Sequence, residues 1–129
     1  MGRYLKINHI SVSSKYSSWV IVGALEYVDD YYYKNNSKHL VCMNWSNRLN
    51  STVFTILPQH QILFLRTLKT ILSNYKSKLL AYIDNEYFNN DEILRLINPK
   101  GPFSAEQIIN NYLVHTINND KQLLKIYWI

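Results

Sequence analysis

The side chains able to do chemistry in this 129-residue chain are few and scattered. Four histidines, His9, His39, His60 and His115, are spread along it, and no two stand four residues apart, the spacing that puts two imidazoles on one helical face. His39 and Cys42 form a His-x-x-Cys, which is half of a metal-binding pattern. Cys42 is the only cysteine, so no internal disulfide forms, and within an apolar run it reads as a small core residue rather than a nucleophile. The acids show no spaced catalytic pair, no G-x-S-x-G elbow is present, and three glycines are too few for a phosphate-cradling loop. A protein without enzymatic activity, cofactor or metal is the expectation.

What the sequence does offer is an interleaving of cations and phenol rings. Lys and Arg outnumber Asp and Glu ten to three over residues 1–80, then are outnumbered six to four over residues 81–129. Most of the net charge of +5 therefore comes from the first part, the composition of a chain that attracts polyanions. Single-stranded nucleic acid is held by cations that track its phosphates and by exposed aromatic rings on which bases stack. Tyr31, Tyr32, Tyr33, Lys34 and Lys38 supply both groups on one polar joint, Lys15 and Tyr16 on another, and Arg48 adds a cation in a turn. The partner expected from these eight residues is single-stranded nucleic acid. The same tyrosines also suit a small interaction or inhibitor protein that anchors on a protein partner, because aromatic residues are enriched at such interfaces. Abundant Asn, Lys, Ile and Tyr, all specified by A/T-rich codons, point to a virus or mobile element as the source.

These residues need elements to hold them. Composition and length predict one α+β domain over residues 1–129, with a basic sheet-plus-helix part (1–78) and a helical C-terminal part (79–129). Tyr4 to Val12 reads as a strand with a bulge near Asn8 and His9, and Ser13 to Ser18 as a polar connection. Trp19 to Val28, β-branched and aromatic, reads as a central strand, and Asp29 to Lys38 as a turn-rich joint. Leu40 to Trp45 and Ser51 to Leu57 read as a hairpin around the turn Ser46–Asn50. Pro58 opens a long helix with Phe64, Leu65, Leu68, Ile71, Leu72 and Tyr75 on one stripe. The predicted fold is an antiparallel four-stranded sheet packed by that one long helix, followed by a C-terminal helical pair and an apolar tail. Asn90 caps the first helix of the pair, which ends at Asn98-Pro99. Ser104 with Gln107 forms a capping box for the second, with Phe103 and Ile108 as its staple.

Four strands followed by Phe54-Thr55-Ile56-Leu57-Pro58 and an amphipathic helix resemble the single-stranded-DNA-binding module of the transcriptional coactivator and Whirly families, over about residues 4–76. The resemblance implies a curved antiparallel sheet that presents its helix-free face to single strands, and assembly into dimers or higher forms. The Lys-Gly-rich strand turn of those families is replaced here by the serine-rich Ser13 to Ser18. The N-terminal residues lack the apolar core of a signal peptide, and no uncharged apolar run approaches the length of a membrane span, so a cytoplasmic protein, in the host cytosol if viral, without a membrane partner is expected.

Overall fold

The computed structural model describes residues 5–12, 14–88, 104–119 and 124–128. Strands β1 (Leu5–Ile7) and β2 (Ile10–Ser11) are followed by helix α1 (Lys15–Asn36), strands β3 (Cys42–Ser46) and β4 (Ser51–Ile56), and helices α2 (Pro58–Asn74) and α3 (Lys76–Tyr87). Helix α4 (Ala105–Ile108) then runs into a π-helical segment (Ile109–Val114) and α5 (His115–Asn119), and strand β5 (Leu124–Trp128) follows. The protein is thus α+β with an antiparallel sheet, but the sheet has five strands in the order β2-β1-β5-β4-β3.

The largest departure from the sequence reading is α1. Residues 19–28 are helix rather than a central strand, and the helix continues through the tyrosine-rich joint to Asn36. Ser14 starts it: its hydroxyl accepts the Ser17 amide at 3.0 Å, satisfying one of the amides a helix start leaves free. Ser37 ends it in the left-handed region (φ 56°), with its amide donating to the Tyr33 carbonyl at 2.7 Å. Between these caps the chain presents two apolar stripes. Val20, Ile21, Ala24, Leu25 and Val28 form one, all buried. Tyr16, Trp19, Gly23, Tyr27 and Tyr31, spaced by three, four, four and four residues, form the other.

That second stripe meets α3 along an antiparallel seam of rings. Tyr16 lies 5.0 Å from Phe88, Trp19 stacks at 4.9 Å on Tyr87, Tyr27 lies 5.5 Å from Tyr82, and Tyr31 lies 5.8 Å from Tyr75. Aromatic pairs at such separations gain about 0.5–1.5 kcal/mol each beyond the area they bury. Gly23 is the point of closest approach, since a β-carbon there would sit 2.9 Å from Ile83 Cγ1 and 3.3 Å from the Tyr87 ring. The close approach is thus made inside a helix.

The hairpin β3–β4 forms as its alternation predicts, with Met43 opposite Phe54, Asn44 opposite Val53 and Trp45 opposite Thr52. The residues at Asn8 and His9 are a turn between β1 and β2, with Asn8 at φ 53°, rather than a bulge within one strand. The apolar tail docks as β5 between β1 and β4, and places Ile126 opposite both Ile7 and Phe54. Leu5, Ile7, Phe54, Ile56 and Ile126 are buried and share one hydrophobic cluster with α1. On the other face Lys125, Cys42 and Asn44 are exposed, so Cys42 is not a core residue.

Helix α2 starts at Pro58 and buries Phe64, Leu68 and Ile71, the centre of its predicted stripe. The expected Asn90–Asn98 helix and the Phe103 staple lie outside the described residues. The Ser104 capping box is formed: its hydroxyl accepts the Gln107 amide at 3.2 Å and the Gln107 side chain accepts the Ser104 amide at 2.9 Å. Ser104→Ala is expected to lower stability by about 0.5–2 kcal/mol, read from denaturant midpoints at unchanged m-value.

Candidate nucleic-acid interface

Because α1 extends to Asn36, three successive tyrosines leave it at 100° intervals and do not all share one surface. Tyr31 and Tyr32, both half-buried, line a groove of about 200 Å³ between α1 and α2, with Asn36 beside them and Leu63, Arg66, Thr67 and Thr70 on the opposite wall. Tyr33 points elsewhere and stacks on His39, with ring centres 4.4 Å apart and planes 12° apart. On the α2 wall the hydroxyls of Thr67 and Thr70 are turned back onto the carbonyls of Leu63 and Arg66, at 2.7 and 3.0 Å, and so are spent within the helix. The Asn36 amide likewise donates to the Tyr32 carbonyl at 3.1 Å.

The loop after α1 is held by one carboxylate. Asp29 accepts the amides of Leu40 and Val41 at 2.7 and 3.0 Å through one oxygen, while its other oxygen lies 2.8 Å from His39 Nδ1. This half of the His39-x-x-Cys42 pair is therefore engaged with a loop-closing acid, and among the described residues no cluster of His, Cys, Asp and Glu is placed to hold a metal.

Of the eight residues expected to form one binding surface, the fold brings Tyr31 and Tyr32 together. Lys34 is exposed and bonds Asp30 at 2.9 Å, one helical turn back, and that bond holds its ammonium above the usual lysine range. Lys38 is exposed just past the end of α1. Lys15 and Tyr16 are at the opposite end of the helix, and Tyr16 precedes Tyr32 by sixteen residues, about 24 Å along the axis. Burial against Phe88, with Asp84 nearby, pushes the Tyr16 phenol up, so this ring belongs to the seam with α3. Arg48 is exposed in the β3–β4 turn. Arg66, which lies outside the apolar stripe of α2, joins Tyr31 and Tyr32 at the groove although no spacing in the sequence links them. The outer sheet face, which the Whirly-type resemblance would use, carries Lys6, Lys125 and Tyr127.

No family model, curated protein or solved structure matches this chain. The element order on which the Whirly-type resemblance rests, four strands and then a helix, is interrupted by α1.

One acid stands apart from the basic surface. Glu26 is half-buried on α1 and accepts the Tyr82 hydroxyl at 3.4 Å. Burial raises its carboxyl above the ordinary 4.5, outweighing the lowering effect of the Tyr82 hydrogen bond, and nearby Glu86 adds to the rise. Tyr82 is itself pushed up to about 12, by burial first and then by Glu26 and Glu86. A carboxyl raised by folding favours the native state fully below its unfolded value and loses that contribution as pH rises through the folded value. Glu26→Gln keeps an acceptor for Tyr82 without the charge. It is expected to raise the melting temperature at neutral pH, with the gain over wild type vanishing by about pH 4. A gain that persists at that pH would place the effect in packing instead.

Proposed function

We propose that this protein binds single-stranded nucleic acid, without catalysis, in the groove between α1 and α2. One juxtaposition supports this reading: Tyr31 and Tyr32 on one wall and the exposed Arg66 on the other, about a groove of roughly 200 Å³. Small-molecule pockets run to about 300–1,000 Å³, whereas a slot of this size suits one base inserted against a phenol ring. Arg66 then meets the adjoining phosphate, with Lys69 one turn along α2 and Lys38 beyond the end of α1 as further phosphate contacts. Among the described residues no helix is long and apolar enough to cross a membrane.

The two walls have different jobs and therefore different signatures. Tyr32→Ala is expected to weaken oligonucleotide binding by about 1–3 kcal/mol with little change in salt dependence, because stacking releases no counterions. Arg66→Ala is expected to weaken binding similarly for all sequences and to reduce the slope of log affinity against log salt by nearly one. Fluorescence anisotropy with a labelled single strand at several salt concentrations, with a duplex as competitor, reads both. Absence of micromolar binding at low salt would overturn the proposal and favour a protein partner for the same tyrosines.

A further inference from the structure

The strand at the end of the sheet is unprotected in a way that suits one particular neighbour. β3 has β4 on one side and, among the described residues, nothing on the other. Natural edge strands are blunted by shortness, charge, proline or a bulge. The opposite edge, β2, is only two residues long. β3 is five residues, Cys-Met-Asn-Trp-Ser, with no charge and no proline, and its pairing with β4 is unbroken from Cys42 to Ser46. Met43 is 60% exposed and Trp45 61% exposed on the same face of this strand. The Trp45 ring is held by a hydrogen bond from its Nε1 to Asn47 at 3.1 Å.

The geometry points to a second copy of this chain as the occupant, paired antiparallel through β3 to extend the sheet across a two-fold axis. Facing residues in an antiparallel pair share a face, so a two-fold axis normal to the sheet must pass through a residue rather than between two. The register that pairs all five residues puts the axis through Asn44. Met43 then faces the partner copy's Trp45, and by symmetry the contact is made twice, a thioether against an indole. On the other face the two Asn44 amides meet, and Cys42 faces Ser46 of the other copy. Charge agrees with this placement. The turn carrying Arg48 of one copy falls beside the Leu40–Val41 stretch of the other, where Asp29 sits with its carboxylate on those two amides. The exposed parts of Met43 and Trp45 from two copies amount to on the order of 500 Å². Backbone pairing and the turn contacts add to this, an interface of the small, weakly associating class below about 1,200 Å². This inference does not depend on the nucleic-acid proposal.

Light scattering on the purified chain from about 5 to 200 μM should show a monomer–dimer equilibrium, and Trp45→Lys should raise its dissociation constant at least tenfold. The exposed position of Trp45 predicts an unchanged far-ultraviolet spectrum and unfolding midpoint. If that variant is misfolded, Met43→Lys on the same face takes its place. Register is tested by cross-linking. Asn44→Cys in a Cys42→Ser background places two thiols opposite one another and should give a disulfide dimer on mild oxidation. Wild-type Cys42 should not, since its copies would be four residues apart along the strands, about 13 Å. A monomer at 200 μM, a dimer indifferent to the lysine variants, or equal cross-linking of wild type and the Asn44→Cys variant would each overturn the proposal. A monomer would leave the edge to a different chain or to none.

Discussion

Leu68→Ala is expected to cost about 2–5 kcal/mol of stability, a large share of what a domain this size possesses. Leu68 is fully buried at the middle of the α2 stripe, with Phe64 and Ile71, also fully buried, one turn to either side. Truncation removes the transfer energy of the lost methyl groups and leaves a space. Helix α2 is tied to the residues around it by its two neighbouring helices, so that space cannot fully collapse. Urea unfolding followed by circular dichroism measures the loss, with the m-value checking that the denatured state is unchanged. A cost below about 1 kcal/mol would mean that the stripe does not pack on the core.

Gly23→Leu is expected to cost about 3 kcal/mol for the opposite reason. A β-carbon at this position already lies 2.9 Å from Ile83 Cγ1, so a larger side chain drives α1 and α3 apart and pulls on the four ring pairs of the seam. Gly23→Ala is the finer probe. Alanine gains about 1 kcal/mol in helix propensity over glycine, and the contact with Ile83 works against that gain. Shortening the neighbour separates the two effects: Gly23→Ala should be more favourable in an Ile83→Ala background than in wild type. A double-mutant cycle with zero coupling would show that the helices do not meet at this point.

The parts of the fold legible in the sequence are those with one buried face. The β3–β4 hairpin is marked by its turn residues, α2 carries a clean stripe, and Ser104 with Gln107 announces a helix start. Over residues 19–28 helix α1 is apolar on nearly all sides, with α3 against one stripe and the rest of the core against the other. With no polar face, periodicity gives no warning, and the β-branched Val20, Ile21 and Val22 add strand propensity that tertiary packing then overrides. The same holds for the joint residues: a turn-rich joint would gather Tyr31, Tyr32, Tyr33, Lys34 and Lys38 on one surface, whereas a helix fans them out. Arg66 could be matched with Tyr32 only after both were known to lie on neighbouring helices, since neither residue signals the other along the chain.

The last strand of the chain is an inner strand of the sheet. β5 separates β1 from β4, so during synthesis the β1–β2 and β3–β4 hairpins wait without their shared neighbour until residue 128 has left the ribosome. Two-stranded hairpins are marginal by themselves. The pairing of Ile7 with Ile126 joins residues far apart in sequence, a closure that entropy makes slow. A ribosome stalled before β5 would hold out two unsealed sheet edges in need of a chaperone.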